Sequence, residues 1–284
     1  MAGSILVTGG AGYIGSHVVR QLGERGERLV ILDDLSTGNR EAVLYGDLVV
    51  GSVGDSRLVQ SLLRDYGVEA VLHFAANTVV PESVEQTLAY YRNNTLATHT
   101  LLEACADFGV NTFIFSSTAA VYGLPEEVPV GEDAPTRPIN PYGSSKLASE
   151  WMIRELAHAS DLRHVTLRYF NVAGCDPEGR IGQSTPDAHL LIKVASEVAL
   201  GKRSHLAIYG TDYPTRDGTG VRDYIHVEDL ADAHLRALDH LREGGESHIL
   251  NVGYGHGATV REVIDTVQRV QGEPLPVREA GRRA

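Results

Sequence analysis

The stretch Ile5-Leu6-Val7-Thr8-Gly9-Gly10-Ala11-Gly12-Tyr13-Ile14-Gly15-Ser16-His17 joins an apolar run, a glycine turn and the start of a helical pattern. A strand ending in such a turn offers backbone N–H groups and the positive end of a helix to a pyrophosphate. The spacing is G-x-x-G-x-x-G: Gly9 suits the tight turn, Gly12 lets backbone approach phosphate, and Gly15 lets the helix lie close on the sheet. Glycine-rich strand ends also make plain turns, so the motif needs company. A second apolar run, residues 28–32, supplies it by ending in Asp33-Asp34, about 20 residues past the turn. A carboxylate there can accept hydrogen bonds from both hydroxyls of an adenosine ribose and would repel a 2′-phosphate, which favours NAD over NADP. The plain alternative is two solvated aspartates closing a strand.

Strand-like runs at 4–8, 28–32, 48–51, 70–74, 112–116 and 164–168 alternate with amphipathic helical stretches at 16–25, 57–66, 84–107 and 142–159. Such alternation implies right-handed crossovers and an α/β fold, a doubly wound Rossmann sheet of parallel strands covered by helices on both faces. After about residue 171 the rhythm breaks, with Gly, Pro, Asp and Thr gathered at 174–187 and 210–220. The expected division is an NAD-binding domain at 1–171 and a smaller substrate lobe at 172–284, set over the carboxyl ends of the strands.

Composition narrows the partners. The 284 residues are 43% hydrophobic and carry a net charge of −12, which argues against nucleic acid and membrane surfaces as partners. No apolar run is long enough to span a bilayer, and the N-terminus opens straight into a strand with no signal pattern. Cys105 and Cys175 show no paired spacing, so inert thiols in a reducing, cytoplasmic setting are expected. The 12 histidines form no H-E-x-x-H or similar cluster, and no metal site is expected.

Two further segments carry chemistry. Residues 113–115 run into Ser116-Ser117-Thr118-Ala119-Ala120-Val121-Tyr122-Gly123, a group of hydroxyls at a strand end. Asn140-Pro141-Tyr142-Gly143-Ser144-Ser145-Lys146 opens a helix, with Pro141 suited to its first position. Tyr142 and Lys146, four apart, share a helix face and can reach one site. A phenol with an ordinary pKa near 10 is a poor base, but a neighbouring ammonium and a positive nicotinamide ring favour the phenolate. It could then take a hydroxyl proton while hydride leaves the same carbon. Alone, Tyr-x-x-x-Lys arises by chance, and a solvated helix pair is the plain reading; behind a dinucleotide turn the catalytic reading is preferred.

These residues resemble the extended short-chain dehydrogenase/reductase superfamily and, within it, the UDP-glucose (UDP-galactose) 4-epimerases. Further matches are His73-Phe74-Ala75-Ala76, Tyr90-Tyr91-Arg92-Asn93-Asn94 and Leu167-Arg168-Tyr169-Phe170-Asn171. The most specific is Tyr213-Pro214-Thr215-Arg216-Asp217-Gly218-Thr219-Gly220-Val221-Arg222-Asp223-Tyr224-Ile225-His226-Val227. The resemblance implies a resident NAD, Tyr142 as the base at the sugar C4 hydroxyl, a 4-keto sugar that turns over while UDP stays anchored, and hydride return to the other face. It implies that Thr118 bonds the C4 oxygen and that Lys146 tunes the tyrosine and holds the nicotinamide ribose. By the same resemblance NAD is contacted by Gly9, Gly12, Tyr13, Ile14, Gly15, Asp33, Asp34, Leu35, Ser36, Thr37, Gly38, Ser52, Val53, Phe74, Ala75, Ala76, Thr78, Asn93 and Phe170, along with Tyr142 and Lys146. Thr118, Tyr142, Asn171, Tyr209, Arg222 and Arg283 match UDP-hexose contacts, with Tyr209 beside the uracil and Arg222 on the diphosphate. The plain alternative for Arg222 is a surface ion pair with Asp223 or Asp217.

Three departures stand out. Ser52 aligns with an adenine-contacting carboxylate of many relatives, leaving the backbone of Val53; Thr78 stands where some epimerases carry a lysine. The chain stops at Ala284, short of residues that shape the sugar pocket in the family, so a C-terminally truncated form is expected. Among rival functions, a 4,6-dehydratase needs an acid/base pair where Ala119-Ala120 stand. A non-catalytic NAD sensor has no need of Thr118, Tyr142 and Lys146 together. A 4-epimerase of another UDP-sugar (pentose, uronate or N-acetylhexosamine) remains open. The helical stretches 84–107 and 142–159 resemble those that pair across a twofold axis, so a homodimer is expected.

Overall fold

The computed structural model describes residues 3–185 and 189–282. In chain order its strands are β1 (Ser4–Thr8), β2 (Leu29–Asp33), β3 (Asp47–Val50), β4 (Val68–His73), β5 (Thr112–Thr118), β6 (Arg163–Tyr169), β7 (Asn171–Ala173), β8 (Leu206–Tyr209), β9 (Val221–His226), β10 (His248–Val252), β11 (Gly257–Thr259) and β12 (Val277–Ala280). Its α-helices are α1 (Tyr13–Glu24), α2 (Ser56–Tyr66), α3 (Val80–Glu85), α4 (Thr87–Tyr90), α5 (Ala97–Phe108), α6 (Pro141–Ala159), α7 (Leu191–Ala199), α8 (Val227–Arg242) and α9 (Val260–Gln271).

Seven parallel strands form the main sheet in the order β3-β2-β1-β4-β5-β6-β10. The order reverses direction between β1 and β4, and the glycine turn leaves β1 at that switch, where open sheets of this kind bind ligands. All five residues of β1 and of β2 are buried, as strands covered on both faces must be. Alternate residues serve opposite faces. Leu6, Val30, Val71, Phe113 and Phe115 pack with Leu62, Leu101 and Ile153 of α2, α5 and α6. Ile5, Val7, Ile31, Leu72 and Ile114 pack with Val18 and Leu22 of α1 and Leu235 and Leu238 of α8. The expected doubly wound α/β architecture is the fold.

Two features differ from expectation. The chain divides into two compact units, but not at 171/172. The first unit runs through Tyr169 and also takes Gly174–Thr185 and Val227–Val252; the second takes Phe170–Ala173, residues 189–226 and the residues from Gly253. The reason is a seventh strand: β10 pairs with β6 from His248↔Val165 to Val252↔Tyr169, and α8 before it buries Leu235, Leu238 and Leu241 against the sheet. Half-exposed β10 gives little strand signal. The second difference is the single helix expected over 84–107. It is broken after α3 and carries a π-helical turn, Tyr91–Leu96, between α4 and α5. There the Asn94 carbonyl accepts the hydroxyls of Thr98 (2.5 Å) and Ser149 (3.1 Å), which draws it away from the regular helical ladder.

The second unit is built separately. β7 pairs in parallel with β9, β9 antiparallel with β11, and β8 in parallel with β12. Ala195 and Val198 of α7 pack with Ile264 of α9 and with Leu206 and Ile208 of β8.

Candidate functional site

Sterics explain the glycine turn. Gly9 has φ +71°, and a Cβ there would lie 2.5 Å from the Ala75 nitrogen, so only glycine fits both the dihedral and the approach of the loop after β4. A Cβ on Gly15 would lie 2.3 Å from the Gly9 carbonyl oxygen, so the first turn of α1 presses directly on the loop. Gly12 caps α1 without a side chain, leaving the cleft above the first helical amides, those of Tyr13 and Ile14, uncovered by its own residue. Tyr13 instead sends its hydroxyl to the Gly174 carbonyl at 2.6 Å.

Asp33, at the end of β2, is buried, and each carboxylate oxygen accepts one backbone amide: Ala11 N at 2.9 Å and Leu35 N at 2.9 Å. Burial raises the carboxyl pKa, and these two amide bonds oppose the rise. The carboxylate retains acceptor capacity for two ligand hydroxyls. Asp34 turns outward, and its Oδ1 accepts the Ser36 amide and hydroxyl at 2.9 and 2.6 Å. Gly38 packs on Asp33, where a Cβ would lie 2.8 Å from Oδ1, while Ser36 and Thr37 are exposed. Phe74 lies on the His234 ring at 4.7 Å, and the Phe74 and Ala75 amides both bond the Thr8 carbonyl. Ala76 follows half-buried, and Thr78 is exposed. Ser52 spends its hydroxyl oxygen on the Gly54 amide at 3.1 Å, while Val53 is in the core. Asn93 donates to Asn77 Oδ1 at 2.9 Å.

The reactive cluster sits where β5 meets α6. Asn140 caps α6 by accepting the Gly143 amide at 2.9 Å, and Pro141 opens the first turn. Tyr142, Lys146 and Thr118 are all buried. The Lys146 ammonium donates to the Ser116 carbonyl at 2.8 Å and lies 4.7 Å from the centre of the Phe115 ring. Desolvation brings its pKa down to about 7, against a smaller upward pull from Glu150. The expected lowering of the phenol does not dominate. Burial lifts Tyr142 above its ordinary value, and the hydrogen bond from Thr118, rather than the lysine charge, is what opposes the rise. Thr118 Oγ1 accepts the Ala120 amide at 3.1 Å, so its own proton is available to donate.

In the second unit Asn171, Tyr209 and Arg222 line one cavity of about 900 Å³ together with Tyr213 and Tyr224. Asn171 Nδ2 donates to the Asp223 carbonyl at 3.3 Å, and Phe170 borders Gly253. Arg222 makes no ion pair with Asp223 or Asp217. Asp223 accepts the Tyr254 and Gly255 amides, and Asp217 accepts from Thr219 and Thr259. The Arg222 guanidinium instead donates to its neighbour's carbonyl, Val221 O, at 2.7 Å. Arg283 lies outside the described residues. Among the described residues no cluster of His, Cys, Asp or Glu suits a metal ion, and no helix is long and apolar enough to cross a membrane.

Sequence reasoning quoted Ser117 and Arg168 within motifs without giving either a role and passed over Glu150; all three lie buried behind the cluster. A signal existed: Glu150 stands one turn beyond Lys146 in the same four-residue rhythm.

A family model, the NAD dependent epimerase/dehydratase family, matches residues 5–253. The chain belongs to this family. It is 59% identical over 280 residues to a UDP-glucose 4-epimerase of Azospirillum brasilense, a match covering 98% of this chain and 80% of that protein. The structure of UDP-glucose 4-epimerase from Brucella ovis in complex with NAD is similar at a TM-score of 0.96 and 45% identity, over 100% of this chain and 87% of that one. The Bifidobacterium longum UDP-glucose 4-epimerase in complex with NAD+ and UDP gives 0.93 and 36%, over 99% and 87%. The cofactor of this NAD-dependent enzyme is NAD. The residues present suit it: only the absence of a Cβ opens the Gly9–Gly15 cradle, and Asp33 keeps acceptor capacity for a ribose. Asp33→Ala is expected to weaken NAD binding at least tenfold by calorimetry and to narrow the preference over NADP. Unchanged affinity and preference would remove Asp33 from the ribose.

Proposed function

We propose that the chain interconverts UDP-glucose and UDP-galactose by inverting C4 of the hexose through a 4-keto sugar, with NAD retained throughout. The observation that carries this reading is the buried trio Tyr142, Lys146 and Thr118 at the carboxyl end of β5, in a chain so similar to UDP-glucose 4-epimerases. NAD, when bound, supplies the acceptor and then the donor of hydride.

The rest falls to the chain's own residues. Tyr142 takes the proton of the C4 hydroxyl and later returns it. Burial makes the neutral phenol the resting form, so ionisation draws on the Thr118 hydrogen bond and on positive charge brought close. As an ammonium, Lys146 uses one N–H on Ser116 O and keeps two for ribose hydroxyls. Thr118 can donate to the C4 oxygen. The glycine turn and the start of α1 receive the cofactor pyrophosphate, with the surrounding residues from Asp33 to Gly38, Phe74 to Ala76 and Asn93 lining its path.

On the substrate side, Arg222 suits a diphosphate, because a guanidinium pairs with phosphate oxygens bidentately. Tyr209 offers a face for uracil, and Asn171 shares their cavity. Strong grip on UDP and weak grip on the hexose lets the 4-keto sugar turn over without escaping.

A homodimer is proposed on the exposed apolar side chains of α3, α4, the π turn and α6: Val84 at 63%, Leu88 at 79%, Leu96 at 60% and Trp151 at 51% exposure. A cytoplasmic setting fits the two free thiols, Cys105 and Cys175.

Incubation with UDP-galactose and no added cofactor is expected to give UDP-glucose, followed by proton NMR of the anomeric signals. Tyr142→Phe should lower kcat by about 100-fold or more while the protein keeps NAD. Turnover within threefold of the parent would remove Tyr142 as the base. Light scattering should report twice the chain mass, and the chain mass alone at micromolar concentration would refute the dimer.

A further inference from the structure

Two consecutive residues of β5 bond two residues of α6 one turn apart, beside the Thr118 and Tyr142 pair of the same two elements. Ser116 accepts Lys146 on its carbonyl at 2.8 Å, and Ser117 donates its hydroxyl to Glu150. The first rung carries the reactive lysine. The second does not touch the reactive groups, yet Ser117 is 0% exposed and Glu150 3%, and burying a carboxylate there is costly unless it is paired.

The pairing is elaborate. Arg168 of β6 donates Nε to Glu150 Oε1 at 3.0 Å and Nη2 to Oε2 at 2.6 Å, a two-pronged grip. Its Nη1 donates to the Tyr122 hydroxyl at 3.0 Å, and Tyr122 donates to Asn251 Oδ1 of β10 at 2.7 Å. Asn251 closes the chain by donating to the Val130 carbonyl at 2.9 Å. Glu150 is thus fixed from β6 and β10, and through Ser117 it fixes the residue between Ser116, which holds Lys146, and Thr118.

We propose that Glu150, anchored by Arg168, is a positioning residue that sets the spacing of Thr118, Tyr142 and Lys146 through the Ser117 rung. This rests on the epimerase reading above. Loosening the rung lets β5 and α6 shift by fractions of an ångström, enough to misplace a proton transfer without altering how UDP is held. A merely structural pair would affect stability and leave kcat alone.

The test uses the full chain with its resident NAD and two variants, Ser117→Ala, which removes only the rung, and Glu150→Gln, which keeps shape but loses the charge pairing. Both are expected to lower kcat more than threefold with KM for UDP-galactose within twofold. A second readout needs no turnover: the ultraviolet phenolate titration of Tyr142, taken as the difference from a matched Tyr142→Phe protein. Displacement of Thr118, whose hydroxyl opposes the rise of the phenol, should move that midpoint upward by more than half a pH unit in the Ser117→Ala background. An unmoved midpoint, a kcat within threefold of the parent, or an effect confined to KM overturns the proposal. So does failure of both variants to fold, which would make the rung a scaffold. If the parent shows no turnover, the epimerase reading fails, and the titration alone decides the ladder.

Discussion

Desolvation at the seam between β5 and α6 is the constraint on which the rest of the structure depends. A phenol and an ammonium are placed there out of water, four residues apart on one helix face. Water loss acts on them in opposite senses, lifting the tyrosine and depressing the lysine to about 7. Both shifts favour the neutral forms, which keeps the reactive groups sensitive to any charge brought beside them. The arrangement opposes folding at low pH. A lysine whose proton is held more weakly in the folded than in the unfolded chain costs stability below about 7, and that cost fades as the pH rises toward the ordinary lysine value.

The cost is met by the surrounding structure. Layers of Phe113, Phe115, Leu101 and Ile153 bury the seam on one side of the sheet. The Glu150–Arg168 pair supplies a matched charge in place of an uncompensated one. The π turn gives up regular helical bonding so that Asn94 can donate to the Asn77 carbonyl and to Ser145 of α6, both at 3.0 Å. Backbone irregularity here therefore serves the same seam that the buried charges serve.

Much of this was legible in the sequence. The glycine spacing gave the turn after β1, because dihedral and contact both exclude a side chain at Gly9. The Asp33-Asp34 doublet was half legible: the position read correctly, but only tertiary contact with the Ala11 and Leu35 amides distinguishes the inward carboxylate from the outward one. The path of residues 227–252 back to the first sheet was not legible, since β10 is half-exposed and its place is set by pairing with β6. The break in 84–107 escaped for a related reason. Apolar spacing continues through the π turn, and the distortion comes from hydroxyls at Thr98 and Ser149, one of them far along the chain. Tyr142 and Lys146 were read as a pair, but burial, not their mutual charge, governs the phenol.

The most direct measurement reads the lysine itself. The sequence holds three lysines, Lys146, Lys193 and Lys202, so a nitrogen-15 NMR titration of their side-chain nitrogens has three signals to assign. The Lys146 signal is expected to titrate with a midpoint about 7. A Lys146 midpoint at the ordinary lysine value, about 10.4, would show a solvated ammonium and contradict the desolvated seam.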